Sequence, residues 1–234
     1  IGLGQFAHAM RRGVNMTYIV ENNGVYGLTK GQFSATADAG SKSKRGVVNT
    51  DNAIDLVAMA LQLGASYVAR SFSGDKEQLI PLLKGALRHR GAALIDVVSP
   101  CVAFNNHAGS TKSYDYVRAH NEAVNRLDFM PLRETITAAY APGQVIEVTQ
   151  HDGSVLRLRK LAEGYDPGDR LAAMAHIAAH DARGEILTGL LYVDSAAEDL
   201  HDHLKTVDVP LNKLGAAELC PGSAALEAIN AELR

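Results

Sequence analysis

Glu21-Asn22-Asn23-Gly24-Val25-Tyr26-Gly27-Leu28-Thr29-Lys30-Gly31-Gln32 follows Met16-Thr17-Tyr18-Ile19-Val20, an apolar and largely β-branched run. Such a run reads as a buried parallel strand, and the polar dozen begins where that strand stops. In open α/β sheets, ligands bind at this end of a strand. Two adjacent amides, three glycines that let backbone approach closely, a hydroxyl at Thr29 and a cation at Lys30 suit an anion and its metal. The same residues also serve as a solvated turn, since Asn-Gly and Tyr-Gly steps are common turn punctuation.

Outward from this stretch, the chain alternates. Upstream, Leu3, Phe6, Ala7 and Met10 fall on one helical face, and Gly13 is placed to end that helix. The strand is expected over 15–20, followed by a long polar loop to about Thr50, of the length that functional loops have. A helix follows over 51–63, with Ile54, Val57, Ala58 and Leu61 inward and Gly64 closing it. A short strand over 67–70 comes next. Asp75 with Gln78 resembles a capping box and starts a helix ending around His89, and 92–98 is a strand again. This β-α-β-α-β order argues a parallel sheet with right-handed crossovers.

Beyond Tyr114 the pattern changes. A helix is expected over 116–127, a hairpin of strands 145–149 and 155–159 around His151-Asp152-Gly153-Ser154, an alanine-rich helix over 168–181, a strand over 186–193 and a terminal helix over 222–233. A soft boundary near Asp128 divides the chain into 1–128 and a C-terminal extension, 129–234. There are no internal repeats.

With 234 residues, 47% of them hydrophobic and 21% charged, the chain can build one sizeable core and a smaller appendage. A net charge of −3 gives no electrostatic footprint for nucleic acid. No apolar run approaches the roughly 20 residues that span a bilayer, so no membrane partner is expected. Only Cys101 and Cys220 occur, which argues against a secreted disulfide framework and for the cytoplasm.

A second segment, Ser99-Pro100-Cys101-Val102-Ala103-Phe104-Asn105-Asn106-His107-Ala108-Gly109-Ser110-Thr111-Lys112-Ser113-Tyr114, completes the motif pair. Asn-Asn-x-Val-Tyr-Gly-Leu-Thr-Lys-Gly-Gln resembles the second half of the thiamine-diphosphate motif in the β subunit of 2-oxoacid:ferredoxin oxidoreductases, the 2-oxoglutarate branch most of all. The second segment resembles that family's cysteine-bearing stretch in order and distance. The similarity continues through His151-Asp152-Gly153-Ser154 and Leu219-Cys220-Pro221-Gly222, across essentially the whole chain.

The resemblance implies an α/β thiamine-diphosphate-binding fold, with a mostly parallel sheet flanked by helices and a C-terminal extension containing a hairpin. It implies that Asn22, Asn23, Gly24, Val25, Tyr26, Gly27, Leu28 and Thr29 contact thiamine diphosphate. Asn23 would offer a side-chain oxygen, and Val25 a backbone carbonyl, to Mg²⁺; Gly24 and Gly27 would permit the tight path. Leu28, Thr29 and Lys30 would stand at the mouth of the reaction site, with Lys30 facing the distal carboxylate of 2-oxoglutarate. Cys101 would be one ligand of a [4Fe–4S] cluster. The implied reaction is oxidative decarboxylation of a 2-oxoacid to its acyl-CoA, with coenzyme A as co-substrate, ferredoxin as electron acceptor and an α subunit as partner. In the family a strand and a metal-binding Gly-Asp-Gly precede the first helix, and three further cysteines lie upstream. Neither is present here, so an N-terminal part is expected to be missing.

Rival readings attach to several of these residues. Gly2-x-Gly4-x-x-Ala7 with Glu21 fits a dinucleotide fingerprint, and would make the chain a NAD-dependent oxidoreductase subunit, but that fingerprint needs a strand feeding its first glycine. Cys101 alone reads as a small buried hydrophobe, and Tyr26 as a core aromatic. Asp199-Leu200-His201-Asp202-His203, with His176 and His180 upstream, suggests a metal but reads better as a solvated helix face. Arg157, Arg159 and Lys160 read as a solvated hairpin face, with contact to a coenzyme A phosphate as the alternative.

Overall fold

The computed structural model describes residues 2–125, 145–149, 155–159, 165–220 and 222–233. Helix α1, Leu3–Arg11, buries Phe6 and Met10, and Gly13 at φ +62° turns the chain out of it. Strand β1, Met16–Asn22, follows, then the short strands β2, Val25–Tyr26, and β3, Gln32–Phe33. Helix α2 is Leu56–Gln62, β4 is Tyr67–Phe72, α3 is Lys76–Arg88 and β5 is Ala92–Val98. Then come α4, Tyr114–His120, and β6, Asn121–Ala123; the hairpin β7, Val145–Thr149, and β8, Val155–Arg159; and α5, Arg170–Asp181, and β9, Ile186–Val193.

The main sheet has the order β1-β5-β4-β9-β6. β1 and β4 both pair in parallel with β5, as the alternation predicts, while β9 runs antiparallel to β4 and parallel to β6. Side chains alternate across this sheet. Ala92 and Leu94 of β5 join Phe6, Met10, Val57, Leu61 and Ile177 on one face, while Ala93, Ile95 and Val97 meet Leu82 and Ala86 of α3 on the other. Helices α1, α2 and α5 therefore cover one face and α3 the other.

Several boundaries move from their expected places for identifiable reasons. β1 extends to Asn22, so the first two residues of the polar dozen belong to the strand. It is also an edge strand among the described residues, with Ile19 47% exposed, because only β5 pairs with it. Helix α2 starts at Leu56 because the Asp55 side chain accepts from Val57 N and Ala58 N, which leaves Ile54 outside the helix and exposed. Asp55 is itself held by Arg70, which pairs with it at 2.7 Å and with Asp96 at 2.9 Å. Burial opposes charge on Arg70, but the two carboxylates more than offset this and hold the guanidinium above its ordinary range.

Asp75 caps α3 through Gln78 N, yet the Gln78 side chain turns to Ser71 and Thr188 and closes no reciprocal box. The helix expected over 116–127 begins at Tyr114, capped by Ser113, and gives way to β6 after His120. The β7–β8 hairpin pairs as expected, while its loop, 151–154, and Lys160 lie outside the described residues. The boundary near Asp128 does not divide the core: α5 and β9 pack into the sheet built by the first half, and the compact units are 1–200 and 201–234. The second unit contains the turn Leu211–Lys213 and the helices α7, Ala216–Leu219, and α8, Ser223–Glu232. No helix among the described residues is long and apolar enough to cross a membrane.

Candidate functional site

β1 and β5 are parallel neighbours in register from Met16↔Ala92 to Asn22↔Val98, so both chain segments leave the sheet at the same edge. Ser99 N donates to Asn22 O at 2.9 Å, where the two strands part. The asparagine-rich stretch and the cysteine-bearing stretch are thereby brought side by side at the carboxyl ends of two parallel strands, where α/β sheets place their ligands.

A groove of about 310 Å³ opens here. Its walls are Leu3 and Phe6 of α1, Val20 of β1 and Leu56 of α2, and Asn22 and Asn23 stand at its polar end. Glu21, Val25 and Tyr26 also line it. Tyr26 is 47% exposed and so is not a core aromatic. A larger, open depression of about 610 Å³ runs along 106–118, but the asparagine motif does not reach it.

The turn at Asn23 is held from several sides. Its side-chain Oδ1 accepts from Val25 N at 3.0 Å, and a carbonyl oxygen keeps a second lone pair beyond that bond. Asn22 is buried, and its Oδ1 accepts from Thr36 Oγ1 at 2.8 Å, tying the end of β1 to the following loop. Gly24 sits at φ +70°, and a Cβ there would lie 3.1 Å from Asn105 Nδ2 and 3.3 Å from Lys112 Cγ. Glycine is required on both counts. Gly27 has no such need: an added Cβ would meet nothing within 4 Å and its φ is not positive.

β2 and β3 form a hairpin in which Val25 faces Phe33 and Ser34 N donates to Gly24 O at 2.9 Å. Antiparallel ladders alternate bonded and non-bonded pairs, so Val25–Phe33 is a non-bonded pair and the ladder does not use the Val25 carbonyl. Asn23 Oδ1 and Val25 O are thus two oxygens of this turn that keep acceptor capacity beyond the bonds given above.

Leu28, Thr29 and Lys30 do not line the groove. They form the hairpin tip, with Leu28 fully exposed and Thr29 Oγ1 donating to Gln32 Oε1 at 2.5 Å. Lys30 adopts φ +75°, in the left-handed region that costs an L-residue roughly 1–2 kcal/mol. Lys30→Gly is therefore expected to raise stability by up to about 1 kcal/mol, after glycine's greater freedom in the unfolded chain is counted. A urea midpoint that falls in this variant would show instead that the Lys30 side chain makes a stabilising contact.

Cys101 is half-buried in the turn after β5 and Cys220 is exposed in the second unit. Among the described residues no three of His, Cys, Asp and Glu group closely enough to hold a metal. A [4Fe–4S] cluster takes four thiolates, so the two cysteines of this chain do not complete one. On α5, His176 Nε2 and His180 Nε2 lie 3.2 Å apart, and Glu185 faces His180 Nδ1 at 2.7 Å. His201 and His203 are exposed on α6, Leu200–Leu204. In the dinucleotide reading, Gly2 caps α1 and Gly4 lies inside the helix. The first strand among the described residues follows α1, and Glu21 is an exposed residue within it.

Sequence reasoning missed the supports of the turn: Asn105, Ser110, Lys112, Asp38 and Thr36. The signal was present in the second segment, where Asn105-Asn106 repeats the amide pair of Asn22-Asn23 and polar residues continue without a charged surface pattern.

Residues 1–97 match the family described as the thiamine pyrophosphate enzyme, C-terminal TPP binding domain. The chain is 42% identical over 134 residues to a 2-oxoacid:ferredoxin oxidoreductase subunit beta of Saccharolobus solfataricus, covering 56% of this chain and 41% of that one. It is 38% identical over 107 residues to the 2-oxoglutarate oxidoreductase subunit KorB of Mycobacterium tuberculosis, covering 45% of this chain and 29% of that one. The chain thus spans 41% or less of the length of these two relatives. Among solved structures, it superimposes with a TM-score of 0.61 and 28% identity on a chain of the 2-oxoglutarate:ferredoxin oxidoreductase from Magnetococcus marinus, solved with 2-oxoglutarate, coenzyme A and succinyl-CoA bound. That match covers 91% of this chain and 61% of the other.

Proposed function

We propose that this chain, which is similar to β subunits of 2-oxoacid:ferredoxin oxidoreductases and matches a thiamine pyrophosphate-binding domain over residues 1–97, is such a subunit and binds thiamine diphosphate and Mg²⁺ at the Asn23 turn. The reaction is the oxidative decarboxylation of a 2-oxoacid, 2-oxoglutarate before others, to its acyl-CoA. Coenzyme A takes the acyl group, CO₂ leaves, and two electrons pass singly to ferredoxin. An α subunit completes the enzyme, which works in the cytoplasm. One observation carries the reading: two oxygens suited to a hard cation, Asn23 Oδ1 and Val25 O, share a glycine-dependent turn at the carboxyl end of a parallel strand.

The chain's own residues bind and orient. Asn23 and Val25 would contribute two of the roughly six oxygens that Mg²⁺ takes, with the cofactor's diphosphate supplying others. Leu3, Phe6, Val20 and Leu56 give the groove apolar walls suited to an aromatic ring and hostile to water. Asn22, Gly24 and Tyr26 complete the cofactor contacts, while Gly27, Leu28, Thr29 and Lys30 stand outside the groove on the hairpin that follows. Thiamine diphosphate supplies, when bound, the nucleophilic carbon and electron sink that the decarboxylation needs. Lys30 sets a cation where the distal carboxylate of the substrate would arrive. Cys101 would be one thiolate of a [4Fe–4S] cluster whose other ligands come from cysteines that these 234 residues lack.

The test is a titration of the intact enzyme with thiamine diphosphate, with and without Mg²⁺, against NADH. Saturable, Mg²⁺-dependent binding of thiamine diphosphate is expected. Binding of NADH without it would overturn the reading in favour of a dinucleotide site.

A further inference from the structure

We infer that Asn105 is the positioning residue of the metal-binding turn: its side-chain amide fixes the Asn23 backbone, and the cysteine-bearing segment thereby serves as the template on which the cofactor site is shaped. The inference rests on the reading of Asn23 as a metal ligand and goes beyond it to a residue 82 positions away in the chain.

Asn105 is 2% exposed. Its Nδ2 donates to Asn23 O at 2.7 Å, and its Oδ1 accepts from Ser110 Oγ at 2.7 Å. The Asn23 contact fixes the amide's orientation, because a flip would set Oδ1 against the Asn23 carbonyl, acceptor against acceptor. Asn105 N also donates to Cys101 O at 2.8 Å, which closes the turn that begins at Cys101. A second brace lies beside the first. Lys112 is buried, its aliphatic stem passes under Gly24, and its Nζ reaches Asp38 Oδ2 at 2.8 Å, where Thr111 Oγ1 donates as well. Phe104 packs over Gly31 at the other end of the asparagine stretch, since a Cβ there would meet its ring carbons at 3.1 Å.

A metal ligand on a loop is worth little unless the loop is held in the ligating shape, because a ligand displaced by about 1 Å no longer meets its cation. Asn105 touches neither of the two proposed donor oxygens. It grips the carbonyl of the residue that carries one of them, so its effect on cation binding must pass through Asn23.

That dependence defines the experiment, a double-mutant cycle on the intact enzyme read by Mg²⁺ titration at saturating thiamine diphosphate. Asn105→Asp keeps the shape and the acceptor for Ser110 but removes the donor to Asn23 O. It is expected to raise the Mg²⁺ dissociation constant at least tenfold, with an unchanged far-ultraviolet spectrum, and the defect should be recovered by raising Mg²⁺. In an Asn23→Ala background the same change should add less than twofold. If Asn105→Asp does not fold, Ser110→Ala replaces it, with about a threefold loss expected and the same lack of additivity. An Asn105 or Ser110 variant that binds Mg²⁺ normally while Asn23→Ala is impaired overturns the positioning role, as do losses that add in full. Normal binding by Asn23→Ala overturns the metal reading itself, and the positioning role with it.

Discussion

Asn23→Ala is expected to weaken Mg²⁺-dependent binding of thiamine diphosphate by more than tenfold, a loss of about 1.4 kcal/mol or more. The substitution removes the side-chain oxygen that would meet the cation, and also the bond by which Asn23 Oδ1 holds Val25 N at 3.0 Å. The second loss reaches the other donor, because the orientation of the Val25 peptide is set by the same side chain. Mg²⁺ takes near-ideal octahedral geometry and keeps water where a site is imperfect. Losing one ligand and loosening another should therefore cost more than one hydrogen bond. Calorimetric titration of the intact enzyme decides this, and affinity within twofold of the parent would remove Asn23 from the ligand set.

The second large effect concerns substrate charge. Lys30→Ala should lower kcat/KM for 2-oxoglutarate far more than for pyruvate, by a ratio approaching the roughly 1.5–3 kcal/mol of a hydrogen bond to a charged group. Both substrates share the keto acid that reacts, and only 2-oxoglutarate carries a distal carboxylate for a cation to meet. The discrimination should persist in Lys30→Gly, which relieves the backbone at φ +75° but equally lacks the ammonium group. This separates charge from strain. Equal losses on both substrates would assign Lys30 to the shape of the hairpin tip and not to selection of the substrate. The exposure of the tip also has a consequence for cost, since a lysine held in water loses little solvation until a substrate or a partner covers it.

Local chemistry along the chain was enough to place most of the elements that carry this site. The apolar run before Glu21, the periodic faces of Phe6 with Met10 and of Val57 with Leu61, and the capping residue Asp75 each act over a few residues. Strand, helix and turn could be read from them without any knowledge of distant partners. The same holds for Gly24, whose position in an Asn-Asn-Gly step marks a turn that a side chain would strain. Such readings erred where a distant group decided the matter. Asp55, held by Arg70 from the next strand, set the start of α2, and the Gln78 side chain left its own helix end for Ser71 and Thr188.

The sheet order and the site were decided only by tertiary structure. Nothing in the residues 186–193 says that β9 must lie antiparallel beside β4, because an apolar strand of that length fits either direction until the rest of the core is assembled. Nor does the asparagine stretch announce its support. Pairing of β1 with β5 places Asn105 against Asn23 O and Lys112 beneath Gly24, and a separation of 82 positions along the chain puts that contact beyond any local pattern. The sequence by itself thus determined that an Asn-Asn-Gly turn with its amides and carbonyls follows a strand end, through residue type and turn chemistry. Their fixed arrangement came from long-range hydrogen bonds that exist only once two parallel strands have brought their carboxyl ends together.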